Sequence, residues 1–269
     1  MVNILILTSG KVSKLDAFSN LVDKGSFDDI WYSTQNQNLK IKNQNLNNYK
    51  LIYFRMVGRS LEIATLVTNY ATKNNIKIVD EIYTKSNLMP MSLGKSIELR
   101  KLIEAGIHIP RTVFGDLNKL PFPYVVKSTT GQKAKEVWLV KNKKELEILR
   151  SKINSHKLYF AQELIPNAYR IRILVIGDRV IGAIKRQTKW NKDETKETLN
   201  PIPQKMIDLA LKSAKAVDLN ICGVDILINS KTNETYVIEA NAAPSWKLIN
   251  KYCGVVVEDE IIKYLSSKI

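Results

Sequence analysis

Gly223-Val224-Asp225-Ile226-Leu227, followed after a turn by Val237-Ile238-Glu239-Ala240-Asn241-Ala242-Ala243-Pro244, is the stretch around which the rest of the chain can be organised. Side chains at i and i+2 of a strand share a face, so Glu239 and Asn241 project together. Val224–Ile228 and Thr235–Glu239 read as a hairpin across Asn229–Glu234, which brings Asp225 towards them. Two carboxylates and an amide oxygen form a hard donor set, suited to magnesium held jointly with phosphates. The flanks are apolar, so an unpaired carboxylate there would be costly. Ordinary strand acids paired with lysines remain the competing reading.

Upstream, Tyr124-Val125-Val126-Lys127-Ser128 ends an apolar strand on a lysine, and a polar loop containing Gly131 follows. Such a loop can set an ammonium and backbone N–H groups around phosphates, although it lacks the P-loop pattern. A lysine that simply snorkels into water would read the same. Phe160-Ala161-Gln162-Glu163-Leu164-Ile165-Pro166 is an apolar strand with a polar end, suited to receive an adenosine or to form a plain edge. Arg170 and Arg172 share one strand face, and Lys185 and Arg186 end the partner strand beyond the Gly177-Asp178 turn. Cations gathered on a hairpin can bind a carboxylate or stabilise an anionic intermediate. A nucleic-acid face is the alternative, without the interleaved aromatics that single-strand binders use.

The first 88 residues have a different texture. Strands at Val2–Thr8, Ile30–Ser33, Leu51–Phe54 and Ile76–Asp80 alternate with helices at Lys14–Lys24 and Ser60–Asn74, which predicts a small open parallel α/β domain. Ser33–Asn48, rich in Asn and Gln, reads as a surface loop. Asn87–Ser92 reads as a linker, and a helix over Leu93–Ala105 ends at Gly106. Further strands are expected at Thr112–Phe114, Tyr124–Ser128, Val137–Val140, Leu158–Glu163, Arg170–Ile176 and Val180–Arg186. Helices are expected at Lys143–Ile153, Pro203–Val217 and Glu258–Ser266. The fold class is therefore α/β, passing to α+β in the C-terminal half.

The 269 residues carry 41 Lys and Arg against 26 Asp and Glu, a formal charge of +15. The lysines are scattered, so the field favours anionic partners without selecting one. Cys222 and Cys253, each in apolar surroundings, suggest a reducing compartment. No apolar run approaches the roughly 20 residues that span a bilayer. A cytoplasmic protein without a membrane partner is expected. His108 and His156 sit in no motif, and no nucleophile–base pair stands out.

Taken in order, these elements resemble the ATP-grasp superfamily, and most closely the ligases that add glutamate to the C-terminus of a ribosomal protein. The order is a lysine-bearing helix, a strand-lysine-loop, a Gln-Glu hinge, a basic hairpin, and Asp and Glu-x-Asn strands. The resemblance covers essentially the whole chain, including Gly106-Ile107-His108-Ile109-Pro110. It implies an N-terminal α/β domain (1–88) and an ATP-grasp domain of two α+β subdomains (89–165 and 166–269) clasping ATP. By the same resemblance Lys95 and Lys127 contact phosphates, Gly131 lies in the covering loop, and Gln162, Glu163 and Leu164 border the adenine. Asp225, Glu239 and Asn241 hold two magnesium ions, with manganese as an alternative. Arg172 and Arg186 steady the transferred phosphoryl group. Arg55, Arg170, Lys185 and Asn191 are assigned to the substrate side.

The implied reaction is ATP-dependent amide formation through an acyl phosphate, on an amino acid, a peptide or a protein tail, acidic tails included. Two alternatives stay open: a ligase that cross-links side chains of a ribosomally made peptide, and a non-catalytic nucleotide- or nucleic-acid-binding relative. The oligomeric state is left open. The chain departs from the pattern in three places. Ala134 and Glu136 follow Gly131 where glycines are common, Arg170 occupies a usually acidic position, and Thr188–Asn200 is short.

Overall fold

The computed structural model describes residues 3–33, 38–85, 94–129, 136–154, 156–188 and 195–269. The expected linker Asn87–Ser92, together with Gly131, Ala134, Trp190 and Asn191, falls outside them. The N-terminal part contains β1 (Ile4–Thr8), β2 (Asp23–Ser26), β3 (Ile30–Ser33), β4 (Asn38–Ile41), β5 (Gln44–Asn45), β6 (Leu51–Met56), helix α1 (Leu61–Lys73) and β7 (Lys77–Val79). β2, β1, β6 and β7 form a wholly parallel sheet in that order. Both faces of its central strands are covered, as parallel sheets require. Leu5, Leu7, Ile52 and Phe54 enter one apolar cluster, and Ile4, Ile6, Leu51 and Tyr53 enter another.

Two expectations fail here. Lys14–Lys24 is not a helix: a short 3-10 turn at Val12–Leu15 leads into β2, whose Lys24 registers against Ile6. Leu15, Phe18 and Val22 do bury, which explains the apolar pattern. Asp16, Ser19 and Asn20 offer the backbone alternatives to a helix. Gly25 also marks a close approach, because a Cβ there would lie 2.1 Å from Ile41 Cδ1. Ser33–Asn48 is not a plain loop either. It supplies β4 and β5, which with β3 make a small antiparallel sheet, and Leu39, Ile41 and Leu46 are buried. Ile30–Ser33 is the expected strand, but it belongs to this sheet and not to the parallel one.

The middle of the chain folds as α2 (Lys95–Glu104), β8 (Thr112–Phe114), β9 (Tyr124–Ser128), β10 (Val137–Val140), α3 (Lys143–Lys152) and β11 (Tyr159–Glu163). Gly106, at φ +67°, ends α2. Its N–H donates to Ile103 and that of Ile107 to Leu102, closing a Schellman motif. Asn142 caps α3 by accepting from the Glu145 N–H at 2.9 Å. The strands form an antiparallel sheet in the order β10, β9, β11, β8, and Tyr124, Val126, Leu146 and Leu149 pack it against α3.

The remainder contains β12 (Ala168–Ile176), β13 (Arg179–Gln187), β14 (Lys196–Thr198), α4 (Gln204–Ala216), β15 (Ile221–Asn229), β16 (Thr235–Asn241), α5 (Lys247–Cys253) and α6 (Val257–Ser266). Sequence reading missed β14 and α5. The strands make an antiparallel sheet ordered β14, β13, β12, β15, β16. On β12, Ile171, Ile173 and Val175 face the cluster that includes α4, while Leu174 and Ile176 face the cluster that includes α5 and α6. Arg170 and Arg172 lie on the second face by alternation. That face is apolar under the C-terminal helices and charged where their cover ends.

Candidate functional site

Register on the five-stranded sheet creates the site. Asp225 is the Cα partner of Arg172 on one side and of Glu239 on the other, and Asn241 pairs with Gly223. Asp225, Glu239 and Asn241 therefore share a face with Arg172, as the hairpin reading requires. Asp225 is completely buried. It accepts bonds from Arg172 Nε and Nη2, each 2.7 Å long, and Arg170 Nη1 lies 3.6 Å away. Arg186 is the register partner of Arg170. The Nε atoms of both arginines are buried without partners among the described residues, as is Asn241 Nδ2.

The second wall comes from α2 and the middle sheet. Lys95, the first residue of α2, bridges Glu98 at 2.9 Å and Glu239. Burial opposes its charge, but these two carboxylates more than offset it and raise the Lys95 pKa. Glu98 is wholly buried, and its other oxygen accepts the Ala240 N–H. Burial raises it to about 7 against the pull of Lys95. On β9, Lys127 donates to Gln162 Oε1 at 2.6 Å, and Gln162 Nε2 donates to Thr112 at 2.9 Å. Burial lowers Lys127 to about 8, only partly countered by the negative charges of Glu239, Asp225 and Glu98.

Other expected residues stand apart. Glu163 is exposed, and its carboxylate accepts the Arg111 N–H at 3.2 Å. Leu164 lines a cavity of about 660 Å³ with Leu139, Tyr169 and Lys185. Lys185 lies on the sheet face opposite Arg186, 5.1 Å over the Tyr169 ring and 3.5 Å from Glu197. Arg55 donates to the Pro244 carbonyl at 2.8 Å and stacks 4.0 Å over Trp246. Trp246 in turn donates to Glu258 at 2.6 Å. Sequence reading missed Glu98, because an acid in the first turn of a helix reads as an exposed, dipole-favoured position.

Among the described residues no three His, Cys, Asp or Glu gather as a metal group. A hard cation bound here would take Asp225 and Glu239 and need its third protein oxygen from Asn241. The donor set suits that role: two opposed carboxylates, plus an amide whose nitrogen has no partner among the described residues. Their present partners, Arg172 and Lys95, occupy the carboxylates as cations.

An acidic strand pair on one sheet, faced by Lys127 and Gln162 from a second sheet and by Lys95 from a helix, defines an ATP-grasp fold. The RimK-like ATP-grasp domain family matches residues 95–265, and the chain belongs to this family of ATP-dependent carboxylate–amine ligases. A protein named "Probable alpha-L-glutamate ligase" from Mannheimia succiniciproducens is 27% identical over 83% of this chain and 79% of its own length. "Beta-citrylglutamate synthase B" of Danio rerio is 26% identical over 59% of the chain, which spans only 42% of that relative. The ATP-grasp ligase PsnB, solved with a minimal precursor, Mg and ADP, superposes with a TM-score of 0.71 at 17% identity, covering 98% of each chain. No described helix is long and apolar enough to cross a membrane.

Proposed function

We propose that this chain joins a carboxylate to an amine at the expense of ATP, with the Asp225–Glu239 face as its catalytic floor. The observation that carries the reading is the register pairing of Asp225 with both Arg172 and Glu239, faced by Lys95 and Lys127. Lys95 and Lys127 would bind phosphates, and the Gln162–Leu164 segment would border the base beneath the loop that carries Gly131. Asp225, Glu239 and Asn241 would hold magnesium, two ions in our reading and replaceable by manganese. The metal would neutralise phosphate charge. The chain is divided as 1–88, 89–165 and 166–269, and its place is the cytoplasm.

The substrate carboxylate attacks the γ-phosphorus, and ADP departs, leaving an acyl phosphate. The amine then attacks the acyl carbon, phosphate leaves and the nitrogen loses a proton. Arg172 and Arg186 would stabilise the charge that develops on the transferred oxygens. Arg170 and Asn191 would face the substrate, whereas Lys185, on the opposite sheet face, would lie beside Leu164 at the cavity, and Arg55 supports the Pro244 loop. The substrate is an amino acid, a peptide or a protein tail, and the net charge of +15 favours an acidic one.

The test is ADP release over paired amino acids and acidic peptides. Turnover should require both a carboxylate and an amine, and Glu239→Gln should abolish it while the protein stays folded. Full activity in that variant would remove Glu239 from the site. A second reading, ligation within a ribosomally made peptide, draws on the precursor bound in the PsnB structure. It predicts dehydrated peptide products without a free amino-acid substrate.

A further inference from the structure

Glu98 has no place in the chemistry proposed above, yet its side chain is wholly buried at the edge of the site. Burying an acid is tolerated only when its oxygens are matched by donors. Both are matched, and by two different walls. One accepts the N–H of Ala240, the residue between Glu239 and Asn241 on β16. The other accepts Lys95 Nζ at 2.9 Å, and the same ammonium also holds Glu239. Glu98 is thus tied to the backbone of the acidic strand and to the lysine that neutralises that strand's carboxylate.

We propose that Glu98 is a positioning residue that lets Lys95 release Glu239 to a magnesium nucleotide without losing its own place. Lys95 has two carboxylate partners in this structure. If Glu239 turns to a cation, Glu98 remains as the counter-charge that holds the ammonium at the mouth of the site. The Ala240 bond keeps the acidic strand in register with α2 during that exchange. Without the Glu98 charge, Glu239 is the one anionic partner left to Lys95 among the described residues, and a metal must compete with the lysine for that carboxylate. Glu98 thereby sets how readily the site accepts metal.

The inference rests on the nucleotide site proposed above, and its test separates the two. Glu98→Gln keeps the shape and an acceptor for Ala240 N–H but removes the charge. Binding of a non-hydrolysable ATP analogue to the full chain is measured at pH 8, where the Glu98 carboxylate carries its charge, with and without magnesium, alongside Tm. The expected result is a roughly tenfold weaker magnesium-dependent affinity, unchanged magnesium-free affinity, and a Tm close to that of the wild type. Lys95→Met should make the Glu98→Gln effect vanish, because the two act through one ammonium. Magnesium-dependent affinity within twofold of wild type overturns the role of Glu98 while leaving the site standing. Equal weakening with and without magnesium, or additive effects of the two substitutions, overturns it too. If the wild type shows no magnesium-dependent binding at all, the proposed nucleotide site fails first and the role of Glu98 with it. Should Glu98→Gln fold poorly, Glu98→Asp keeps the charge and must then retain the magnesium dependence.

Discussion

Arg172 grips the buried Asp225 carboxylate with two parallel bonds of 2.7 Å, from Nε and from Nη2, across directly opposed strand positions. A bidentate guanidinium–carboxylate pair is geometrically exacting, and removing one member leaves the other charge buried and uncompensated. Arg170, 3.6 Å from the same carboxylate, is too distant for a comparable bond. Arg172→Ala should therefore cost about 3 kcal/mol in urea unfolding. Arg172→Lys should recover only part of it, since an ammonium cannot form the fork. Adding Asp225→Asn to Arg172→Ala should cost less than the two separate losses combined.

Gly223 opposes Asn241, and a Cβ at Gly223 would sit 2.7 Å from Pro244 Cβ. Pro244 is where Arg55 anchors the N-terminal sheet to the loop that follows the acidic strand. Gly223→Ala should thus overpack this contact, costing roughly 1–3 kcal/mol. It should also weaken nucleotide binding by shifting the Asn241–Pro244 turn. Thermal unfolding and analogue titration check the two effects separately.

Much of this site was legible from sequence. Asp225, Glu239 and Asn241 stood on strands whose alternation and connecting turn fix which side chains meet, so their common face followed from local rules. The Arg170–Arg172 face followed in the same way. Glu98 and Arg55 were not legible, because each owes its environment to a segment well over a hundred residues away: Ala240 for Glu98, and Pro244 with Trp246 for Arg55. Lys185 was grouped with Arg186 by proximity in sequence, though adjacent strand residues point to opposite faces. The helix expected at Lys14–Lys24 failed similarly, since its buried Leu15, Phe18 and Val22 serve a turn and an edge strand. In Ser33–Asn48 the abundant Asn and Gln hid a Leu39–Ile41 alternation that becomes a strand.

Asp80 closes β7 at φ +68°, accepting the N–H groups of Asn220 and Ile221 at 2.7 and 3.0 Å, while its second oxygen has no partner among the described residues. Burial raises it to about 7. Tyr53, Tyr83 and Cys222 surround it, all raised by burial and neutral in this range. Arg55 is the nearby cation acting on Tyr53. A carboxyl whose folded pKa exceeds its unfolded value gives most stability below the unfolded value and loses it as pH rises through the folded one. Stability should therefore fall between about pH 4 and pH 7 and then level off. Asp80→Asn, which keeps the acceptor without the charge, should reduce that slope and leave the share of Glu98, which burial also raises to about 7. Denaturation midpoints across this range, compared between the two proteins, provide the measurement.

Lys127 gives a second pH dependence, this one in ligand affinity. Its ammonium is held by Gln162 Oε1, and burial lowers its pKa to about 8. Below that pH the free protein presents a cation to phosphate, and above it a neutral amine. Affinity for a magnesium-bound ATP analogue should therefore decline as pH rises through about 8, up to roughly tenfold, the value of one charge-assisted bond. Phosphate binding should itself favour the protonated form, so the midpoint at saturating analogue should move to higher pH than in the free protein. Lys127→Met should bind more weakly at pH 7 and lose this decline. A flat affinity profile for the wild type from pH 7 to 9 would remove Lys127 from phosphate contact, whatever its position beside Gln162.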